Sequence, residues 1–222
     1  MGAKVGVVLS GCGVSDGAEI HESVITLLAL DRAGAQAICM APDIAQLHVV
    51  NHATGEVAQG ATRNVLEESA RIARGQIRNM RDVRAEDIDA LILPGGYGAA
   101  KNLCDFATKG ANAVAHAEIT RLVRAMHAAG KPVGFICIAP AIAAAAFRGT
   151  PVHPRLTIGT DAETSAALER MGARPVSHEV DEIEVDDENR IVSTPAYMLA
   201  GRISEAAAGI EKLVAKVLEL AR

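Results

Sequence analysis

Apolar residues fall into short, nearly unbroken runs that alternate with longer stretches of helical spacing. Val5–Leu9 (VGVVL), Ala37–Met40, Ile88–Leu93 (IDALIL) and Pro132–Ile136 (PVGFI) are runs of this kind. Such runs suit strands buried on both faces of a parallel sheet. Between them, Ile20, Val24, Leu27 and Leu28 recur at helical spacing up to Gly34. The same spacing predicts helices over Arg63–Arg74, Ala113–Ala129, Ala139–Phe147 and Ile203–Leu220. Leu156–Gly159 reads as a further short strand. Glu182–Val185 and Arg190–Ser193, joined by Asp186-Asp187-Glu188-Asn189, read as an antiparallel hairpin whose acidic stretch is a solvated rim. Residues 43–62 break the alternation and predict an excursion with a hairpin around Thr54-Gly55, placed to shape a lid.

Strands alternating with helices predict an α/β fold, a mostly parallel sheet flanked by helices on both faces, with a small antiparallel hairpin near the C-terminus. The length of 222 residues suits one domain over 1–222, since no internal stretch reads as a linker. Ligands in such sheets sit beyond the carboxyl ends of the strands. Ser10–Gly17, Pro94–Gly98 and Cys137–Pro140 all fall at such ends.

Half of the residues are hydrophobic but only 2% are aromatic, so the core must be built from Ala, Val, Ile and Leu. The net charge of −5 and the absence of long Lys/Arg runs argue against nucleic acid or an anionic membrane as a partner. No apolar run reaches membrane-spanning length, and the N-terminus does not read as a signal peptide. Four widely spaced cysteines, Cys12, Cys39, Cys104 and Cys137, suit reduced thiols in a cytoplasm.

Cys137 is the leading candidate for chemistry. It lies between a buried run and a helix, where a tight turn is expected to push the side chain into solvent. The helix start is expected to lower its pKa. The competing reading is a small buried apolar cysteine. Gly95-Gly96 lets the backbone approach a ligand and donate N–H groups, or is a plain turn. Glu19, His21 and Glu22 open a helix, where acids complement the dipole and His21 reads as a polar or capping residue. Glu22 gains interest only where it faces Cys137, as a buried carboxyl able to stay protonated. Cys12 is placed to line a pocket, whereas Cys39 and Cys104 read as structural. His48 and His52 have no acid to complete a metal set, so no metal is expected.

Gly17-Ala18-Glu19-Ile20-His21-Glu22, Pro94-Gly95-Gly96 with Asn102-Leu103, and the turn around Cys137 together resemble the ThiJ/PfpI superfamily, which has a flavodoxin-like, class I glutamine-amidotransferase-like fold. Further segments, among them Leu9–Val14, Val50-Asn51-His52, Thr62–Leu66, Gly98–Leu103 and Thr194–Leu199, are similar to the ElbB-like glyoxalases, also described as isoprenoid-biosynthesis proteins with an amidotransferase-like domain. The resemblance implies Cys137 as nucleophile and Glu22 as the acid that contacts it. It implies Gly96 and Ile138 as the backbone donors of an oxyanion hole. It also implies a homodimer without cofactor that converts glyoxal to glycolate. Protein or nucleotide deglycation and a redox-sensing or regulatory role are the alternatives. The chain departs from the wider pattern in lacking a histidine beside Cys137. It also carries Ser193-Thr194-Pro195-Ala196-Tyr197 where an amidotransferase needs a His-x-Glu pair. A Cys–His–Glu triad for glutamine hydrolysis is therefore not expected.

Overall fold

The computed structural model describes residues 2–222. Its centre is a seven-stranded sheet: β1 (Lys4–Val8), β2 (Gln36–Ala41), β3 (Arg78–Asn79), β4 (Ala90–Leu93), β5 (Val133–Ile136), β6 (Glu184–Asp186) and β7 (Ile191–Thr194). The strand order is β6-β7-β5-β4-β1-β2-β3. All neighbours are parallel except β6 and β7. The register sets Val5 beside both Ala37 and Ala90, and Val133 beside both Leu91 and Ile191.

The alternation of side chains along the strands feeds two cores. Val5, Val7 and Ile92 point to one face, where they meet Leu30 of α1 (Ile20–Arg32) and Ile210, Leu213 and Val217 of α6 (Ile203–Leu220). The short α2 (Val65–Ile72) joins this layer. Val8, Leu91, Leu93 and Phe135 point to the other face. There they pack on Ile119, Leu122 and Met126 of α3 (Ala117–Ala128) and on α4 (Pro140–Phe147), every residue of which is buried. A helix of Pro, Ile, Phe and five alanines can sit that deep because small side chains let it approach the sheet closely.

The sequence-based boundaries are close for β1, β2, β4, β5, α1, α2, α4 and α6. Three differences have physical causes. The C-terminal hairpin forms as expected, but its acidic stretch is a solvated rim only at Asp181, Glu182, Asp187 and Glu188. Glu184 and Asp186 are buried, because β6 is carried into the sheet by β7, which pairs with β5 and is buried along its whole length. Its polar residues are bonded inside: Ser193 Oγ accepts the Thr157 N–H at 2.8 Å, and Thr194 Oγ1 donates to Glu182 O at 2.9 Å. The helix expected from Ala113 starts at Ala117, where His116 Nδ1 accepts the Glu118 N–H and Ala115 bridges to Cys104. The strand expected at Leu156–Gly159 is only Arg155–Leu156, paired with Arg174–Pro175 in a separate ribbon. Between those two segments lies α5 (Ala162–Arg170), which the apolar pattern does not announce because only Ala167 and Leu168 are buried.

The direction in which successive strands are added reverses between β1 and β4, which are themselves parallel. The strands following β1 build toward β3, and those following β4 build toward β6. The crevice at the carboxyl ends of strands beside such a switch point is where ligands bind in open α/β sheets.

Candidate active site at the Cys137 turn

Cys137 follows the last residue of β5 and has φ +60°, a left-handed conformation that costs a non-glycine residue on the order of 1–3 kcal/mol. The turn is fixed from both sides. The Cys137 N–H donates to Thr194 O at the end of β7 at 3.0 Å, and the Ala139 N–H donates back to Ile136 O at 3.0 Å. Pro140 then opens α4 in the position where a missing N–H costs nothing. This is the strand–turn–helix elbow that aims a side chain at the crevice.

Two neighbouring strand ends complete the surroundings. After β4 the chain runs through Gly95 and Gly96. A methyl group on Gly95 would lie 2.6 Å from Cys137 Cβ and 2.9 Å from Glu22 Oε2, so only glycine fits. Gly96 has φ +89° and turns its N–H toward the Cys137 sulfur, as Ile138 does from the start of the helix turn. Glu22, fully buried in the first turn of α1, reaches the same point. Its Oε2 accepts the Gly95 N–H at 2.9 Å and its Oε1 accepts the Tyr197 N–H at 3.3 Å. Glu19 caps the helix by accepting the Glu22 N–H at 2.6 Å, and its own N–H donates to Gly95 O at 3.0 Å. The structure thus brings Cys137, Glu22, Gly96 and Ile138 together from three separate parts of the chain.

Burial decides the electrostatics. It pushes the Glu22 carboxyl up to about 8, with the Glu19 charge adding to it and the two N–H bonds and the thiol opposing. The Cys137 thiol is raised well above its ordinary value, by burial first and then by the Glu22 charge, against the Gly96 and Ile138 N–H groups. The expectation of a solvent-exposed, helix-lowered thiol is therefore corrected: Cys137 is 8% exposed, and desolvation outweighs the helix start. Around pH 7 both groups are neutral. The first proton to leave belongs to the pair, and the remaining one bridges sulfur and carboxyl.

Cys137 opens into a cleft of about 610 Å³. Glu19, Gly96, Tyr97, Ile138, Tyr197 and Met198 line it, together with Asp161, Glu163 and Arg170 from α5 and its cap. None of the chain's seven histidines is among the lining residues. Tyr197 is the residue that reading along the chain overlooked. Ala196, buried with φ +43°, turns the chain so that the Tyr197 N–H meets Glu22. The Tyr197 hydroxyl lies 2.8 Å from His21 Nδ1, and burial with the Glu19 and Glu22 charges raises its pKa, so it stays protonated. No short-range signal marks it, since its partners are about 175 residues away in the chain. Cys12 is half-exposed near Glu68 and Arg71 and does not line the cleft. Cys39 and Cys104 are buried, their thiols pushed up to about 11 and about 12 by burial.

The excursion does contain the expected hairpin, Val50–Asn51 with Glu56–Val57, but none of residues 43–62 lines the cleft. It braces the loop before α1 instead. Buried Asp16 accepts the Val50 N–H through Oδ2 at 2.7 Å, and His52 Nε2 accepts the Ser15 N–H at 3.1 Å.

Sheet order, elbow and paired glycines define a flavodoxin-like α/β protein with a cysteine at the switch-point crevice. The chain belongs to the DJ-1/PfpI family, whose model matches residues 12–195. It is 44% identical to the human "Glutamine amidotransferase-like class 1 domain-containing protein 3, mitochondrial", over 98% of this chain and 83% of that protein. Among solved structures, the isoprenoid biosynthesis protein with amidotransferase-like domain from Ehrlichia chaffeensis superposes with a TM-score of 0.90 at 36% identity, covering 97% of this chain and 99% of that one. Drosophila melanogaster DJ-1beta shares the fold at a TM-score of 0.55 and 19% identity, over 100% of this chain and 96% of its own. Among the described residues no helix is long and apolar enough to cross a membrane.

Proposed function

We propose that this chain is a cofactor-independent glyoxalase that converts glyoxal to glycolate through Cys137. The observation that carries the reading is the Cys137 elbow itself. Its sulfur is held between a buried carboxyl and two backbone N–H groups and opens to a cleft. Likeness to the Ehrlichia chaffeensis protein supports the same branch of the family.

The sulfur of Cys137 adds to one aldehyde carbon of glyoxal, forming the C–S bond of a hemithioacetal. The N–H groups of Gly96 and Ile138 hold the oxygen that gains charge. Glu22, freed of its proton in the singly charged pair, takes the hydrogen from the thiol-bearing carbon and returns it to the neighbouring carbon through an enediol. The first carbon is thereby oxidised to a thioester and the second reduced to an alcohol, so no external oxidant is required. Water cleaves the thioester to glycolate and the free thiol. Replacing Cys137 by Ala is expected to lower glycolate formation at least 1,000-fold, on the order of the loss for removing a nucleophile; retained turnover would remove the mechanism.

A second reading, a redox-sensing or regulatory role for Cys137, is favoured by the lack of any histidine in the cleft lining. Peroxide separates the two: sulfinic acid at Cys137 without glycolate formation supports the sensor. Deglycation of early protein or nucleotide adducts uses the same residues. The homodimer and the cytoplasmic setting belong to this proposal as well. The molar mass in solution tests the first and fractionation the second, since reduced thiols also suit the mitochondria named for the human relative.

A further inference from the structure

The chain has two tyrosines, three phenylalanines and no tryptophan in 222 residues. Both tyrosines, Tyr97 and Tyr197, and one phenylalanine, Phe106, line the single cleft that Cys137 opens into. Three of the five aromatic rings thus gather at one place, while the core is built almost wholly from aliphatic side chains. Tyr97 is 57% exposed, an unusual position for a large ring. It is also held in place. Its N–H donates to Val14 O at 2.7 Å, and the Lys101 ammonium, anchored to Ser15 O at 2.8 Å, lies over the ring 5.3 Å from its centre. The Tyr197 ring is steadied by His21, 5.8 Å between centres. The cleft is also far larger than a two-carbon dialdehyde. Glyoxal takes up on the order of 60 Å³, about two waters' worth of liquid, against about 610 Å³. Clefts of this size accommodate ligands of drug-like dimensions, and fixed aromatic rings recognise flat bodies by stacking.

We infer that the cleft is built for a carbonyl substrate carrying a flat apolar or aromatic body, with the body against Tyr97, Phe106 and Tyr197 and the reacting carbonyl at Cys137. The inference rests on the proposed carbonyl chemistry for the reacting group, and on the cleft alone for the body. The class is that of aryl 2-oxoaldehydes. Phenylglyoxal plus water would give mandelate by the same internal transfer of hydrogen, its aldehyde carbon oxidised to the carboxylate and its ketone reduced to the alcohol.

Two measurements on the full chain test this. In the first, kcat/KM for mandelate formation from phenylglyoxal is compared with that for glycolate formation from glyoxal. The aryl substrate is expected to lead by about tenfold or more, and Tyr97→Ala combined with Phe106→Ala to reduce that ratio about tenfold, with Tyr97→Phe restoring most of it. In the second, mandelate and glycolate are titrated into the Cys137→Ala protein, where no turnover intrudes. Mandelate is expected to bind at least tenfold more tightly, with chemical-shift changes at Tyr97. Mandelate binding no tighter than glycolate, or a ratio that the double substitution leaves unmoved, overturns the inference while leaving the glyoxalase reading intact. Failure of both substrates to turn over, with mandelate still preferred, overturns the glyoxalase reading and upholds the preference for a flat body.

Discussion

Glu22 combines complete burial with a carboxyl raised to about 8, and each has a measurable effect. The unfolded chain releases this proton near the ordinary carboxyl value of 4.5, whereas the folded chain keeps it to about 8. Between those values the folded state binds more protons, so the contribution of Glu22 to stability is fully present below 4.5 and is lost as pH rises to 8. Glu22→Gln removes the titration but leaves one of the two N–H groups facing an amide NH2, so the variant is expected to be less stable than the parent at pH 4 and to gain on it by on the order of 4 kcal/mol between pH 4 and pH 8. Denaturant unfolding at the two pH values checks this. Activity has the opposite slope. The singly charged Cys137–Glu22 pair is the reactive form, so kcat/KM is expected to rise about tenfold per pH unit below the first apparent pKa of the pair, and then to level off. At Ala196, φ +43° strains a buried non-glycine residue beside Glu22. Ala196→Gly is expected to be neutral or stabilising by about 1 kcal/mol in thermal melts, since glycine adopts this conformation without a clash.

At the scale of elements, legibility followed burial. Strands β1, β4 and β5 were readable because every residue that pairs in the sheet is apolar or glycine, apart from Lys4. The two-residue edge strand β3, Arg-Asn, carries no such signal. Helix α5 was missed for the same reason, although its cap is textually plain: Asp161 Oδ1 accepts the Thr164 N–H at 2.7 Å. Cys137 and the glycine pair stood out by their places at strand ends, whereas Glu22 was singled out by the family resemblance, since an acid in a first helical turn is expected from the dipole alone. Tyr197 and the depth of the thiol were not legible, because both depend on β7 entering the sheet rather than standing at its rim. The helix beneath the elbow offers a test of packing. Ala143 of α4 is fully buried, so Ala143→Leu is expected to cost about 1–3 kcal/mol by overpacking, read in denaturant unfolding, and to raise reactivity of Cys137 toward thiol reagents where the displaced turn uncovers the sulfur. At the sheet edge, His178 lies 2.8 Å from Glu184 and 3.2 Å from Glu182. Burial opposes its charge, but the hydrogen bonds to Glu184 and Glu182 prevail and raise its pKa above the ordinary imidazole value of 6.5. Its stabilisation is thus present below 6.5 and is lost as pH rises through the folded value. His178→Asn should flatten that part of the stability profile.

For the whole molecule, two cores on opposite faces of one sheet are bridged by strands whose side chains alternate between them. Leu213 of α6 is fully buried against the face that also carries α1. Leu213→Ala is expected to cost about 2–5 kcal/mol, and the loss should be read equally by probes on either face if unfolding is one concerted event. The candidate site draws on every part of this architecture: Glu22 from the first crossover, Gly96 from the switch point, Cys137 from β5 and Tyr197 from beyond β7.

The Thr194 carbonyl that receives the Cys137 amide has a consequence for biosynthesis. A ribosome making this chain emits the cysteine nearly sixty residues before the segment that closes its turn. Until that tail emerges, the nascent thiol lacks both its left-handed perch and the backbone of Tyr197 that steadies its carboxyl partner. The polypeptide would therefore acquire its shielded, carboxyl-paired sulfur only once Thr194 has been added, and fragments stalled before Thr194 should show ordinary cysteine behaviour toward electrophiles.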